Sequence, residues 1–275
     1  MMIQRFKRHK LAVVGICIFT FVLACALFAP LVSPYDPNKI VGKFSGAPSF
    51  QFPLGTDQIG RDVLSRLIYA SRVSLLVGFA STGIALAIGV VLGLLSGFFG
   101  GWIDMVIMRF TDMIMSFPYI MLVLVAAAIV GPGLLNIILI LGFVNWPAVA
   151  RLVRGNVLSL RETNFVKGSI MQGMPTRFLL FSEIMPNTIA PILVATSTMI
   201  ASSMLDEAAL SFLGLGVQPP TASLGNMLNG AQSLTILTSK PWLWIPPGLM
   251  ILVLVIIVSF IGDALRDATD PRDVH

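Results

Sequence analysis

Chemistry needs titratable or nucleophilic side chains held close together, and this chain brings few of them near one another. Cys17 and Cys25 share one apolar stretch, and His9 and His275 stand at opposite ends. Neither a histidine zinc site nor a Cys–His nucleophile can be assembled from these, and no disulfide framework is suggested. The phosphate-cradling pattern G-x-x-x-x-G-K-[ST] is absent. What remains are charges at the edges of apolar runs. Arg109 and Asp112 lie one helical turn apart, a spacing that predicts a pair on one helix face. Asp206 and Glu207 are adjacent carboxylates that directly follow a 22-residue charge-free stretch, 184–205, which would set them near the outer face of a membrane. Asp57, Arg61 and Asp62 cluster among glycines, and the Asp57–Arg61 spacing suits an i,i+4 pair if the segment is helical.

These charges stand out because the rest of the chain is so apolar. Of 275 residues, 56% are apolar and 11% charged, and the mean hydropathy is +0.90. A soluble domain carries about 25% charged residues, so the composition predicts an all-α integral membrane protein. The net charge of +5 fits an anionic membrane surface. No concentrated basic stripe of the kind that binds nucleic acid is present.

Five segments carry no charge: 11–33, 73–103, 113–150, 184–205 and 241–262. A helix crosses the hydrocarbon layer in about 20 apolar residues. The third segment is too long for one crossing and is punctuated by Gly131-Pro132-Gly133. Six transmembrane helices are therefore predicted, at 11–33, 73–97, 103–130, 134–151, 187–213 and 243–264. Arg5, Lys7, Arg8 and Lys10 precede the first, which predicts cytoplasmic N- and C-termini and a multi-pass protein of the cell membrane. The first run is too long, and its exit too poor in A-x-A sites, for a cleaved signal peptide. The chain divides into an N-terminal tail and first helix (1–33), an extracytoplasmic loop (34–72) and a five-helix core (73–275) with a cytoplasmic loop at 151–186. Gly78, Gly83, Gly89, Gly93 and Gly97 predict close helix approach along the second span. Met113, Met115 and Met121 read as lipid-facing or core residues.

The inner loop is longer than a turn requires. Glu162–Gln172 reads as one short helix, with Phe165, Val166 and Ile170 apolar. Gly173-Met174-Pro175 ends it, and a second helix, Thr176–Met185, leads to Pro186. Two such helices form either a knob for a partner's groove or a plain cap on the bundle.

Here the sequence resembles a family, the permease subunits of ATP-binding-cassette importers for peptides and nickel. That family's inner loop reads E-A-A-x-x-x-G, nine residues, I-x-L-P. Gly173 and Pro186 match its glycine and proline, while Lys167, Gly168 and Ser169 replace the E-A-A and Glu183 the isoleucine. Arg161-Glu162 and Phe165 agree with the segment upstream. Leu54-Gly55-Thr56-Asp57-Gln58-Ile59-Gly60-Arg61-Asp62-Val63 and Ser211-Phe212-Leu213-Gly214-Leu215-Gly216-Val217-Gln218-Pro219-Pro220 match further blocks, as do Trp146-Pro147, Val153-Arg154-Gly155 and Gly262-Asp263-Ala264-Leu265-Arg266-Asp267. The similarity runs from Tyr35-Asp36-Pro37 to Asp270-Pro271 and is strongest to the second permease of oligopeptide and dipeptide importers.

The resemblance implies the fold of the type I importer permeases and a non-catalytic subunit forming half of a translocation pathway. It implies a second homologous permease, two ATPase subunits that bind ATP and magnesium, and an extracytoplasmic peptide-binding protein. Arg161, Glu162, Phe165, Lys167, Gly168, Ser169, Gly173 and Pro186 would form the coupling surface to the ATPase. Arg109 with Asp112 would be a gate or a packing ion pair. Asp206 and Glu207 would receive a peptide's amino terminus or merely end a membrane segment. The Asp57 cluster would dock the binding protein or staple the loop. A nickel importer is the alternative. A secondary transporter fits less well, because no carboxylate or histidine lies in mid-membrane.

Overall fold

The computed structural model describes the backbone of residues 10–269 and the side chains of 14–267. Arg5, Lys7, Arg8, His9, Asp270-Pro271 and His275 lie outside the described residues, as does the side chain of Lys10. Among the described residues the protein is all-helical, with two isolated bridges, Ile40 to Arg61 and Thr56 to Asp62, in place of strands.

The elements are α1 (Lys10–Leu27), a single turn α2 (Ala29–Val32), α3 (Val63–Phe99), α4 (Gly101–Met115), α5 (Tyr119–Val130), α6 (Leu134–Arg161) and α7 (Asn164–Met171). Then come α8 (Thr176–Phe212), the short α9 (Leu224–Asn229) and α10 (Leu234–Ser239), and α11 (Ile245–Thr269). Four of these, α3, α6, α8 and α11, are long and apolar enough to cross a membrane. The pair α4 and α5 makes a fifth crossing only if taken together, because the two are bent by 85°. The 18 residues of α1 extend about 27 Å at about 1.5 Å each.

Several boundaries differ from those predicted, mostly because a charged residue need not end a helix: Arg72, which bounded the predicted second span, stands exposed within α3, and others are met by carboxylates. The second span begins at Val63, ten residues before 73, and the first loop is correspondingly shorter. Asp62 caps α3, its Oδ2 accepting from the Ser65 amide at 2.8 Å. Arg66 is buried beside Asp57 at 3.5 Å and donates to the Pro37 carbonyl at 3.2 Å, so its charge is tolerated inside the helix. The fourth span runs past 151 to Arg161 because Arg151 and Arg154 find carboxylates on α4. The third span is not one helix. Pro118 disfavours helix at Phe117 and offers no N–H, so the chain turns at Ser116-Phe117-Pro118.

The second helix expected over Thr176–Met185 is continuous with the fifth span as α8. A widened π turn, Leu179–Ile184, precedes Pro186, whose ring cannot donate to the preceding turn.

The tightest packing joins α3 to α6. A Cβ built on Gly89 would lie 2.5 Å from Val149 Cβ, one on Gly93 2.7 Å from Val153 Cβ, and one on Gly97 2.7 Å from Val157 Cβ. Three glycines spaced four apart therefore form a groove for three valines spaced four apart. Gly83 is the exception in this series, with nothing within 4 Å. Around this seam lie a cluster toward the α7 end with Leu94, Val153, Val166, Leu180 and Ile184, and one toward the other end with Val77, Val123, Ile137, Leu141 and Leu210. Val125, Ile129, Leu135, Phe143, Leu249 and Leu252 face outward. Such exposed residues suit lipid or another apolar surface, and Met113, Met115 and Met121 belong with them.

Candidate functional site

At the end of the bundle where α3 and α6 finish, α7 follows α6. Val166 is fully buried against Leu94, Val153, Leu180 and Ile184, while Phe165, Ile170 and Met171 are exposed, Met171 by 88%. Its end is a Schellman turn: the Met174 amide donates to the Ser169 carbonyl at 3.2 Å and the Gly173 amide to the Ile170 carbonyl at 3.0 Å. Gly173 has φ +71°, a left-handed conformation that suits glycine. The other residues of this surface divide between holding α7 and lining it. Arg161 Nη1 donates to the Phe98 carbonyl at the end of α3, at 2.9 Å. Lys167 Nζ meets Glu162 Oε2 at 2.8 Å. That hydrogen bond holds the Glu162 carboxyl below the usual carboxylate range. Ser169 Oγ donates to Glu183 Oε1 at 2.5 Å, tying α7 to the π turn of α8. Gly168 faces open space, and Pro186 is exposed at the surface of α8. Lys167 and Glu183, the two charged departures from the family pattern, thus each have a local partner.

The predicted Arg109–Asp112 pair does not form. Three residues apart on a helix leaves side chains about 60° apart around the axis, and Arg151 of α6 takes Asp112 at 2.8 Å instead. Both groups are half-exposed, so this pair contributes about 0–1 kcal/mol. Arg109 borders an apolar depression of about 490 Å³ with Phe110, Met113 and Trp146. A stronger pair, not anticipated, sits about two turns earlier on α4 and one turn later on α6. Arg154 Nε and Nη2 grip Asp104 Oδ1 and Oδ2 at 2.5 and 2.6 Å, and Ser96 Oγ joins them, so α3, α4 and α6 meet at one carboxylate.

Asp206 and Glu207 part company, since neighbours on a helix point about 100° apart. Glu207 is 0% exposed and accepts from Ser74 Oγ and Ser211 Oγ, both at 2.7 Å. It ties α3 to α8 within the protomer and neither lines a surface nor ends the helix, which continues to Phe212. Asp206 is partly exposed, and its Oδ2 accepts from Tyr119 Oη at 2.5 Å. Tyr119 Oη in turn accepts from Asn145 Nδ2 at 3.4 Å. Tyr119 starts α5 directly after the Pro118 bend, so the break in the third span is what delivers its hydroxyl to α8. The sequence signal that could have found this trio was Tyr119 directly after a proline and an asparagine, Asn145, in the middle of α6.

At the opposite end, before α3, Asp57 and Arg61 pair as their spacing suggested, but in a turn rather than a helix. Asp57 Oδ1 accepts the Ile59 and Arg61 amides at 3.0 and 2.9 Å, and Oδ2 accepts Arg61 Nε at 2.7 Å. A Cβ on Gly60 would lie 2.5 Å from the Gly42 carbonyl oxygen. This is a loop staple by construction. Among the described residues no group of three or more His, Cys, Asp or Glu is placed to hold a metal, and Cys17 and Cys25 are unpaired thiols.

Comparison with known proteins matches residues 89–273 to the family described as binding-protein-dependent transport system inner membrane component. Residues 1–51 match the N-terminal transmembrane domain of oligopeptide transport permease C. The dipeptide transport system permease protein DppC of Alkalihalophilus pseudofirmus is 41% identical, over 98% of this chain and 88% of that one. The di/tripeptide transport system permease protein DppC of Pseudomonas aeruginosa is 41% identical, over 98% and 90%. The glutathione transport system permease protein GsiD of Pectobacterium atrosepticum is 37% identical, over 98% and 89%. Among solved structures, the inward-facing MetNI methionine ABC transporter aligns with a TM-score of 0.60 at 19% identity, covering 74% of this chain and 97% of that one. An amino acid ABC transporter aligns at 0.57 and 16% identity, covering 74% and 94%.

Proposed function

Because this chain belongs to the family of binding-protein-dependent transport inner-membrane components, we propose that it is one permease subunit of an ATP-driven importer of short peptides. It forms half of the pathway, and a second, homologous permease forms the rest. Two ATPase subunits supply the energy, and an extracytoplasmic binding protein delivers the cargo. The observation that carries this reading is near full-length identity of about 40% to proteins named for dipeptide and di/tripeptide transport. Those names also favour peptides over a nickel chelate.

In this reading α7 is the coupling helix. Its buried Val166 fixes it to the bundle, and its exposed Phe165, Ile170 and Met171 enter a groove on the ATPase. When the ATPases close on ATP, α7 is displaced. The Ser169–Glu183 bond and the seam of α3 on α6 pass that displacement to the spans as rigid bodies. The chain itself hydrolyses nothing. Its N- and C-termini face the cytoplasm, on the same side as α7, and the Asp57 loop lies outside. The test is reconstitution. The complete assembly is expected to concentrate a dipeptide inside proteoliposomes only with ATP and binding protein. The isolated chain is expected to transport nothing, and transport by it on an ion gradient would overturn the reading.

A further inference from the structure

Asp206 is anomalous. It stands six residues before the end of α8, about 9 Å inside the helix terminus at about 1.5 Å per residue. Among the described residues no arginine or lysine lies within ion-pair distance of it, and its one hydrogen-bond partner is the neutral Tyr119 hydroxyl. A carboxylate so placed is costly against lipid and is retained where it meets water or a cation.

The face it occupies points the same way. Ser202 and Thr198 lie four and eight residues before Asp206 on α8, and both are exposed, so a polar stripe runs down one side of a membrane helix. Beside that stripe, α6 and α8 part to leave a cleft of about 290 Å³ lined by Ala148, Val149, Leu152, Ala195, Thr198 and Met199. Asn145, at the head of the cleft on α6, is one turn from Ala148. Asp206 does not line this cleft: it stands seven residues beyond Met199, about 10 Å further along α8 at about 1.5 Å per residue, at the end of the same polar stripe.

We propose that Asp206, oriented by Tyr119 and Asn145, receives the free ammonium group of a short peptide in transit, with the polar stripe of Ser202 and Thr198 leading from it along α8. This rests on the peptide-importer reading and adds to it a cargo class and a residue that selects it. Tyr119 acts as a positioning residue, since its hydroxyl occupies one carboxylate oxygen and leaves the other for the cation.

The test uses the complete importer in proteoliposomes, with an alanyl dipeptide and its N-acetyl form, each supplied at saturation of the binding protein. Asp206→Asn removes one charge-assisted hydrogen bond, so uptake of the free-amine peptide is expected to fall about tenfold or more. Uptake of the N-acetyl form is expected to stay level, so the ratio between the two cargoes approaches one. Tyr119→Phe is expected to shrink the same ratio in part. An unchanged ratio in Asp206→Asn overturns the proposal. So does an equal loss for both cargoes, which would instead mark Asp206 as a contact to a cation on the second permease or as a fold element. If the unaltered complex moves neither peptide but moves another cargo, the functional reading itself fails, and this inference goes with it.

Discussion

Replacing Gly93 with alanine tests whether the seam between α3 and α6 is as tight as its geometry implies. The added methyl would sit 2.7 Å from the Ala150 carbonyl oxygen and 2.7 Å from Val153 Cβ. Because one neighbour is backbone, a rotamer change cannot relieve the clash, and the helices must separate along the seam. Overpacking of this kind costs about 1–3 kcal/mol. Against it stands a gain of up to about 1 kcal/mol from replacing glycine with alanine inside a helix. Opposed at Gly93, these leave a net destabilisation of about 1–2 kcal/mol. At Gly83, where a Cβ meets nothing within 4 Å, only the gain remains. For a chain of this size about 1 kcal/mol moves the midpoint about 2–4 °C. Thermal unfolding of the purified complex, followed by loss of its monodisperse elution, should place Gly93→Ala several degrees below the parent and Gly83→Ala level with it or above. Equal midpoints for the two variants would refute the reasoning.

Other perturbations follow from the same contacts. Gly173→Val forces a β-branched residue to φ +71°, at a cost of about 1–2 kcal/mol. It is expected to leave the spans inserted while ATP hydrolysis and peptide uptake come apart, and unchanged uptake would mean that α7 is only a cap. Asp104 and Arg154, tested as a double-mutant cycle on stability, should couple by about 1–2 kcal/mol given their bidentate geometry and partial exposure. The looser Asp112–Arg151 pair should couple by less than about 1 kcal/mol. The Glu162 carboxyl is held below its ordinary value of 4.5 by Lys167, so their link is present above that value and is lost as pH falls through the depressed one. Hydrogen exchange at the first turn of α7 should therefore rise on acidification into that range, and Lys167→Ala should abolish the pH dependence.

Much of this architecture was legible because a bilayer reduces the choice to apolar helices. Composition identified the class, Gly131-Pro132-Gly133 separated the third and fourth spans, and the glycine series marked the seam. Helix ends were less legible. A run of residues does not reveal that Arg151 and Arg154 will be met by carboxylates from 39 and 50 residues away, so the fourth span read as ending at 151, nor that α3 will pass through Arg72 and Arg66, so the second read as starting at 73. The bend at Pro118 was visible as a proline but not as an 85° turn. Within the candidate site, the exposed face of α7 and the Gly173 terminator followed from pattern. The separation of Asp206 from Glu207 follows from helical phase alone. The contact of Tyr119 with Asp206 joins residues 87 apart and depends on tertiary packing that no local spacing encodes.

The central claim is that α7 is the point where an ATPase drives this chain, and proximity tests it most directly. With Cys17 and Cys25 replaced by serine, Met171→Cys places one thiol on the exposed face of α7. In membranes carrying the whole assembly, a short bifunctional thiol reagent should join that residue to an ATPase subunit, with a yield that changes when ATP binds. Labelling of the same thiol by an impermeant reagent added from outside intact cells, with no ATPase adduct, would contradict the account.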